Sequence, residues 1–184
     1  MSTTYPGTTI EVSRLEKGSS RKLFDGIFAT GGITLSQICV MTDLEPYMIQ
    51  NWIKRGFVSS PVKRVYSRGQ FARIVIINML KESLQIERIC GLIKIIGGVL
   101  DDPSDDLISD DELYHRYVDM LSDDSINITN GESVLFAASA ACSDLSVSTK
   151  GAEAKLVKIM QLMIYAHSAA RLRKASEEIL FTLN

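Results

Sequence analysis

Apolar residues recur at helical spacing through most of this chain, and short polar stretches divide them into separate runs. A weak helix is expected over Leu23 to Ala29. After Gly31-Gly32, Thr34 and Gln37 stand as a capping box that opens a short helix with Leu35, Ile38 and Cys39 inward, ending near Met41. Thr42-Asp43 reads as a tight turn. Glu45-Pro46 starts a second short helix with Met48, Ile49, Trp52 and Ile53 on its apolar face, and Gly56 stops it. Val62 to Tyr66 alternates apolar and basic residues like an exposed ribbon. Ser67 with Gln70 opens the next helix, through Phe71, Ile74, Ile77 and Leu80, and Ile86 to Ile96 continues the helical pattern as far as Gly97-Gly98.

Beyond the middle, Ser109 with Glu112 caps a helix containing Leu113, Tyr117 and Leu121, and Thr129 with Glu132 opens an alanine-rich one ending at Cys142. The helical pattern from Gly151 to Leu183 is about 50 Å long at 1.5 Å per residue. It is apolar on almost every face between Leu156 and Ala166, so something must cover it. These elements give an all-α fold in four parts. Residues 1–30 form an arm and a short helix, with the arm flexible unless docked. Residues 31–98 form a helix-turn-helix with a ribbon, 99–108 an acidic linker, and 109–184 a helical half for assembly or effector binding.

Charge changes this picture more than composition does. The 184 residues carry 20 Lys+Arg against 22 Asp+Glu, a net of -2, which excludes a uniformly basic chain. Within that balance Tyr47 to Arg73 holds Lys54, Arg55, Lys63, Arg64, Arg68 and Arg73 and no carboxylate. Asp101 to Asp124 holds ten carboxylates against Arg116 alone. Segregation of this kind points to an interaction face. The acidic run lacks the order of ligands and the closing Glu of a calcium loop, so no metal is assigned. Its other readings are a solvated linker or a repeller or mimic of phosphate.

Cys39, Cys90 and Cys142 are spread without a CxxC pair, as reduced buried thiols are, and no apolar run approaches the length of a membrane span. A cytoplasmic protein follows. His115, on a helix expected to be exposed, and His167, in an apolar stripe, have no Ser or Cys partner in view, and no phosphate loop is present. Catalytic residues, cofactors and metal ligands are therefore all set at none. Met160, Met163, Tyr165 and His167 would suit either plain core or the lining of a cavity for an unidentified small-molecule effector.

The run ITLSQICVMTDLEPYMIQNWIKRGFV, with Trp52, Lys54-Arg55, Gly56 and Phe57-Val58, then Arg64-Val65-Tyr66 and Ile86-Glu87-Arg88-Ile89, resembles the MerR-type winged helix-turn-helix. The resemblance covers Ile33 to Ile93 and suits a divergent bacterial branch, a domain of unknown function. It departs from the type at Asp43, where a glycine is usual in the turn, and at Met48-Ile49-Gln50, which replaces Thr-x-Arg. It implies a transcriptional regulator that binds double-stranded DNA. Helical geometry supports the same reading: a helix with Met48, Ile49 and Trp52 inward projects Tyr47, Gln50, Asn51 and Lys54 outward toward a major groove. Arg55 suits phosphate or guanine, and Lys63, Arg64 and Tyr66 would grip the flanking backbone from the ribbon. A homodimer through the C-terminal helix is expected, with a stripe through Ile159, Met163 and Ala170 as its contact. The alternative is a protein-interaction adaptor that keeps the winged helix as a scaffold and uses Trp52, Phe57 and the acidic linker for partners.

Overall fold

The computed structural model describes residues 3–96, 107–145 and 151–183. Gly97-Gly98 and the carboxylates from Asp101 to Asp106 lie outside the described residues. Eight helices and one small antiparallel hairpin make up the described residues, so the fold is all-α in class. The hairpin pairs β1 (Thr3–Thr4) with β2 (Glu11–Val12), Thr3 opposite Val12. The helices are α1 (Ser19–Ile27), α2 (Leu35–Thr42), α3 (Pro46–Lys54), α4 (Arg68–Leu80), α5 (Ile86–Ile96), α6 (Asp110–Leu121), α7 (Gly131–Cys142) and α8 (Ala152–Thr182).

The caps explain most of these boundaries. Thr34 and Ser67 each take part in a full capping box, with Gln37 and Gln70 returning the bond to the cap's own N–H at 2.8 Å. At the start of α7 the cap is Asn130 in place of Thr129, and its Oδ1 accepts from both Glu132 and Ser133. Asn130 reaches two orphan amides at once, which Thr129 one residue earlier does not.

α4 is the spine. Phe71, Ala72, Ile74, Val75, Ile76, Ile77, Met79 and Leu80 are all buried, around nearly its whole circumference. That requires neighbours on every side, and α2, α5, α6 and α8 supply them. The expected arm at the N-terminus is docked rather than free: Tyr5 is buried, Thr9 N–H donates to the Met41 carbonyl at 2.8 Å, and Asn78 Nδ2 donates to the Gly7 and Thr42 carbonyls. Gly7 makes this docking possible. Its φ is +73°, and a Cβ there would overlap the Val75 carbonyl oxygen.

Two expectations about the C-terminal half are corrected. His115 is 3% exposed, its ring packed edge-on to Phe24 and its Nδ1 3.0 Å from Ser20 Oγ, because α1 covers that face of α6. The apolar stretch of α8 is covered within the chain: Leu156, Ile159, Met160 and Met163 are buried against α7, α4 and α6, so Ile159 and Met163 form no open stripe. Beyond residue 170 the helix leaves the core, and Arg171 to Leu183 is exposed throughout.

The charge segregation along the sequence is largely resolved by pairing in space. Arg73 Nε donates to Asp110 at 2.7 Å, with both side chains close to 12% exposed. Arg21 bridges Glu112 and Asp119, and Arg116 bridges Glu112 and Asp144. Asp110, Glu112 and Asp119 of the acidic run are thus the counter-face of arginines on α1, α4 and α6 itself. No group of side chains arranged to hold a metal ion occurs among the described residues.

Candidate nucleic-acid interface

α2 and α3 are joined by Asp43, Leu44 and Glu45, with Asp43 in the left-handed region at φ 55°. This is the position where the resemblance leads one to expect glycine. The backbone still needs the left-handed geometry, and aspartate is among the few other residues that adopt it at modest cost. Leu44 is buried below the turn, and Pro46 at the first position of α3 fixes its start.

α3 buries Ile49 and Trp52, half-buries Met48 and Ile53, and turns Tyr47, Gln50, Asn51 and Lys54 outward. Tyr47 is 68% exposed. Neither Gln50 nor Asn51 makes a side-chain hydrogen bond among the described residues, so the amides are available to a ligand. After Gly56 the chain returns toward α2 and doubles back in a two-residue turn at Lys63-Arg64. Val65 N–H donates to the Val62 carbonyl at 2.9 Å, and the central residues have φ 50° and 65°. Two positive φ values mark the tight hairpin turn that glycine and asparagine usually occupy. The base of the ribbon is tied to the start of α2 by reciprocal bonds between Ile33 and Tyr66, at 2.7 and 3.1 Å.

This folding brings Gln50 of α3 and Arg64 of the turn to the walls of one groove of about 470 Å³, with Leu35, Ile53, Pro61 and Tyr66 also lining it. Lys63 and Arg64 are exposed at its rim, next to Val62, which is 74% exposed.

Two expected site residues are held by contacts within the chain. Tyr66 is 3% exposed, with its ring in the core below the ribbon, where burial raises its hydroxyl pKa. It anchors the ribbon, and the small part of it left accessible lines the same groove as Gln50 and Arg64. Arg55 is turned toward α5: its guanidinium is 2.6 Å from Glu87 and lies over the Phe57 ring at 4.5 Å. Glu87 was the missed partner, and its spacing from Arg55 gave no signal because nothing in sequence shows that α5 returns beside α3. Arg68 likewise pairs with Asp25. Of the six cations between Tyr47 and Arg73, Lys54, Lys63 and Arg64 have no ion pair among the described residues.

Residues elsewhere that invited a chemical reading have structural roles. Met160 and Met163 are core, while Tyr165 is 43% exposed. His167 Nδ1 is 2.9 Å from the Tyr117 hydroxyl, and burial, reinforced by Arg171, lowers its pKa to about 4. Cys90 and Cys142 are free thiols with pKa values pushed up to about 11 by burial.

Residues 33–117 match a family described as a domain of unknown function (DUF1836). That span contains the α2–α3 pair, the ribbon, the α4 spine and most of α6. The chain is also similar to an uncharacterized protein, YkrK, of Bacillus subtilis (strain 168), 29% identical over 102 residues. The matched part is 53% of this chain and 43% of that relative. Both similarities point to a bacterial family of unknown function. No solved structure matches the chain significantly. No described helix is long and apolar enough to cross a membrane.

Proposed function

We propose that this chain is a sequence-specific regulator of transcription, similar to the MerR type, that reads duplex DNA with α3 and the Lys63-Arg64 turn. The observation that carries this is the shared groove. Gln50, an amide with no internal partner, and Arg64, an unpaired cation, line the same surface from two different elements. A base-reading group beside a phosphate-binding group is the division of labour that DNA recognition requires. Asn51 and Lys54 extend the row along α3, and Lys63 extends it along the turn. In this proposal α2 to α5 form the winged helix-turn-helix unit, the protein works as a homodimer on a two-fold operator, and its place is the cytoplasm. The adaptor reading is weaker because Trp52, one of the contacts it needs, is 5% exposed and Phe57 lies under Arg55.

Selection of duplexes from a random pool supplies the target, and fluorescence anisotropy then compares it with a scrambled duplex. Gln50→Ala and Asn51→Ala are expected to cost about 1–3 kcal/mol on the selected sequence and little on the scrambled one. Lys63→Ala and Arg64→Ala are expected to weaken both duplexes alike. Equal losses on both duplexes for all four substitutions, or no enrichment at all, overturn the reading.

A further inference from the structure

The N-terminal arm and the outer part of α8 face each other across an open groove of about 940 Å³, within the size range of small-molecule sites. On α8 its wall carries His167, Arg171, Lys174 and Glu178, which fall within about 60° of one another at 100° per residue. From the facing arm come Glu11 and Arg14, and Arg14 is neutralised by Asp124 at 3.7 Å. Two cations and two carboxylates are left. Arg171, Lys174, Glu11 and Glu178 close no ion pair among the described residues. Lys174 and Glu178 stand at i and i+4, the spacing at which helical pairs form, and still remain apart. The Tyr117 hydroxyl engages His167 Nδ1 at 2.9 Å, so Nε2 is the ring nitrogen left without a partner in the chain.

We infer that this groove binds a short peptide with both termini free, its carboxylate held by Arg171 and His167 and its ammonium by Glu178. Charge is the first argument. Unpaired groups of both signs in one groove are complementary to a zwitterion, whereas a plain anion meets Glu11 and Glu178, and a plain cation meets Arg171 and Lys174. Length is the second. Arg171 and Glu178 are seven residues apart, about 10 Å along the helix axis. A single amino acid carries both charges on one carbon and reaches one end only, while three extended residues span about 10 Å. Arg171 suits the carboxylate end because a guanidinium offers parallel N–H groups to both oxygens. Lys174, between the two ends, is placed to donate to peptide carbonyl oxygens. The site lies on the arm and α8, away from α3 and the ribbon, and does not depend on the DNA reading.

Amide NMR titration of the full chain with trialanine, N-acetyl-trialanine and trialanine amide is the test. Trialanine is expected to shift residues of the arm and of α8 from 167 to 178 saturably, with a dissociation constant of about 1 mM, since exposed charges bind weakly. Each cap removes one terminal charge and should weaken binding about fivefold. Arg171→Gln should weaken trialanine about fivefold and make the amide bind as well as the free acid, while the penalty for acetylation stays. Glu178→Gln should do the converse. All three side chains are on the surface, and circular dichroism checks that the variants keep the fold. No saturable shift up to about 20 mM trialanine overturns the site. Equal binding of the free and capped peptides overturns the zwitterion, and Arg171→Gln erasing the penalty for acetylation instead overturns the assignment of the ends.

Discussion

Replacing Lys63 by Asn and Arg64 by Gly should make the protein more stable and a weaker DNA binder. The turn holds both residues at positive φ, 50° and 65°, across the 2.9 Å bond from Val65 to Val62. A side chain with a Cβ costs about 1–2 kcal/mol in that conformation, and asparagine and glycine relieve much of it. Glycine returns about 0.5–1 kcal/mol of this through the greater freedom of the unfolded chain. The net expectation is about 1 kcal/mol of added stability, a rise in Tm of about 2–4 °C for a chain of this size. The same change removes two of the three unpaired cations of the surface. Affinity should fall for every duplex, and the slope of log affinity against log salt should flatten by about 1.8. Thermal melts followed by circular dichroism and anisotropy at several salt concentrations measure both quantities on one preparation. A variant that is less stable, or that keeps the parent's affinity and salt slope, refutes the idea that the strained turn is held for its cations.

Gly7→Ala places a methyl group on the Val75 carbonyl at a φ of +73°, so the arm must lift from α4. A loss of about 3 kcal/mol in urea denaturation is expected, and a change below about 1 kcal/mol would show that the arm is not docked as described. His167, next to Tyr117 and under the influence of Arg171, has a folded pKa lowered to about 4 from 6.5. The unfolded chain therefore takes up a proton first as the pH falls, and stability is lost from about pH 6.5 down to about 4, by about 3 kcal/mol in all. His167→Gln should remove most of that acid sensitivity. Parallel pH profiles for the two proteins would contradict it.

The elements with local signals were legible in the sequence. Thr34 with Gln37 and Ser67 with Gln70 mark helix starts because a capping box is closed within four residues. The Met48, Ile49 and Trp52 stripe fixes which side of α3 faces out for the same local reason. What failed depended on distant parts of the chain. Tyr66 looks like a surface residue in an alternating ribbon, but the side facing the core is set by the bridge to Ile33, thirty-three positions away. Ile159 and Met163 are apolar on a helix with almost no polar face between Leu156 and Ala166, and the cover comes from three other helices that meet there. His115 is polar and follows two aspartates and a glutamate, and only the packing of α1 decides that it is buried. Thr129 was one residue early because a cap of either kind satisfies the same pattern, and geometry chose Asn130.

The pairing of Arg55, Arg68 and Arg73 also alters how strongly this surface should respond to salt. If all six cations of the Tyr47 to Arg73 window met phosphates, each chain would contribute a slope of about -5 and a dimer about -11, at about 0.9 per contact. With Lys54, Lys63 and Arg64 alone free of ion pairs, the expected slopes are about -3 for one chain and about -5 for a dimer. Between 50 and 200 mM salt the dimer should then lose about a thousandfold in affinity. A wild-type slope near -11 would mean that Arg55, Arg68 and Arg73 leave Glu87, Asp25 and Asp110 when DNA binds. The internal ion pairs would then belong to the free protein alone.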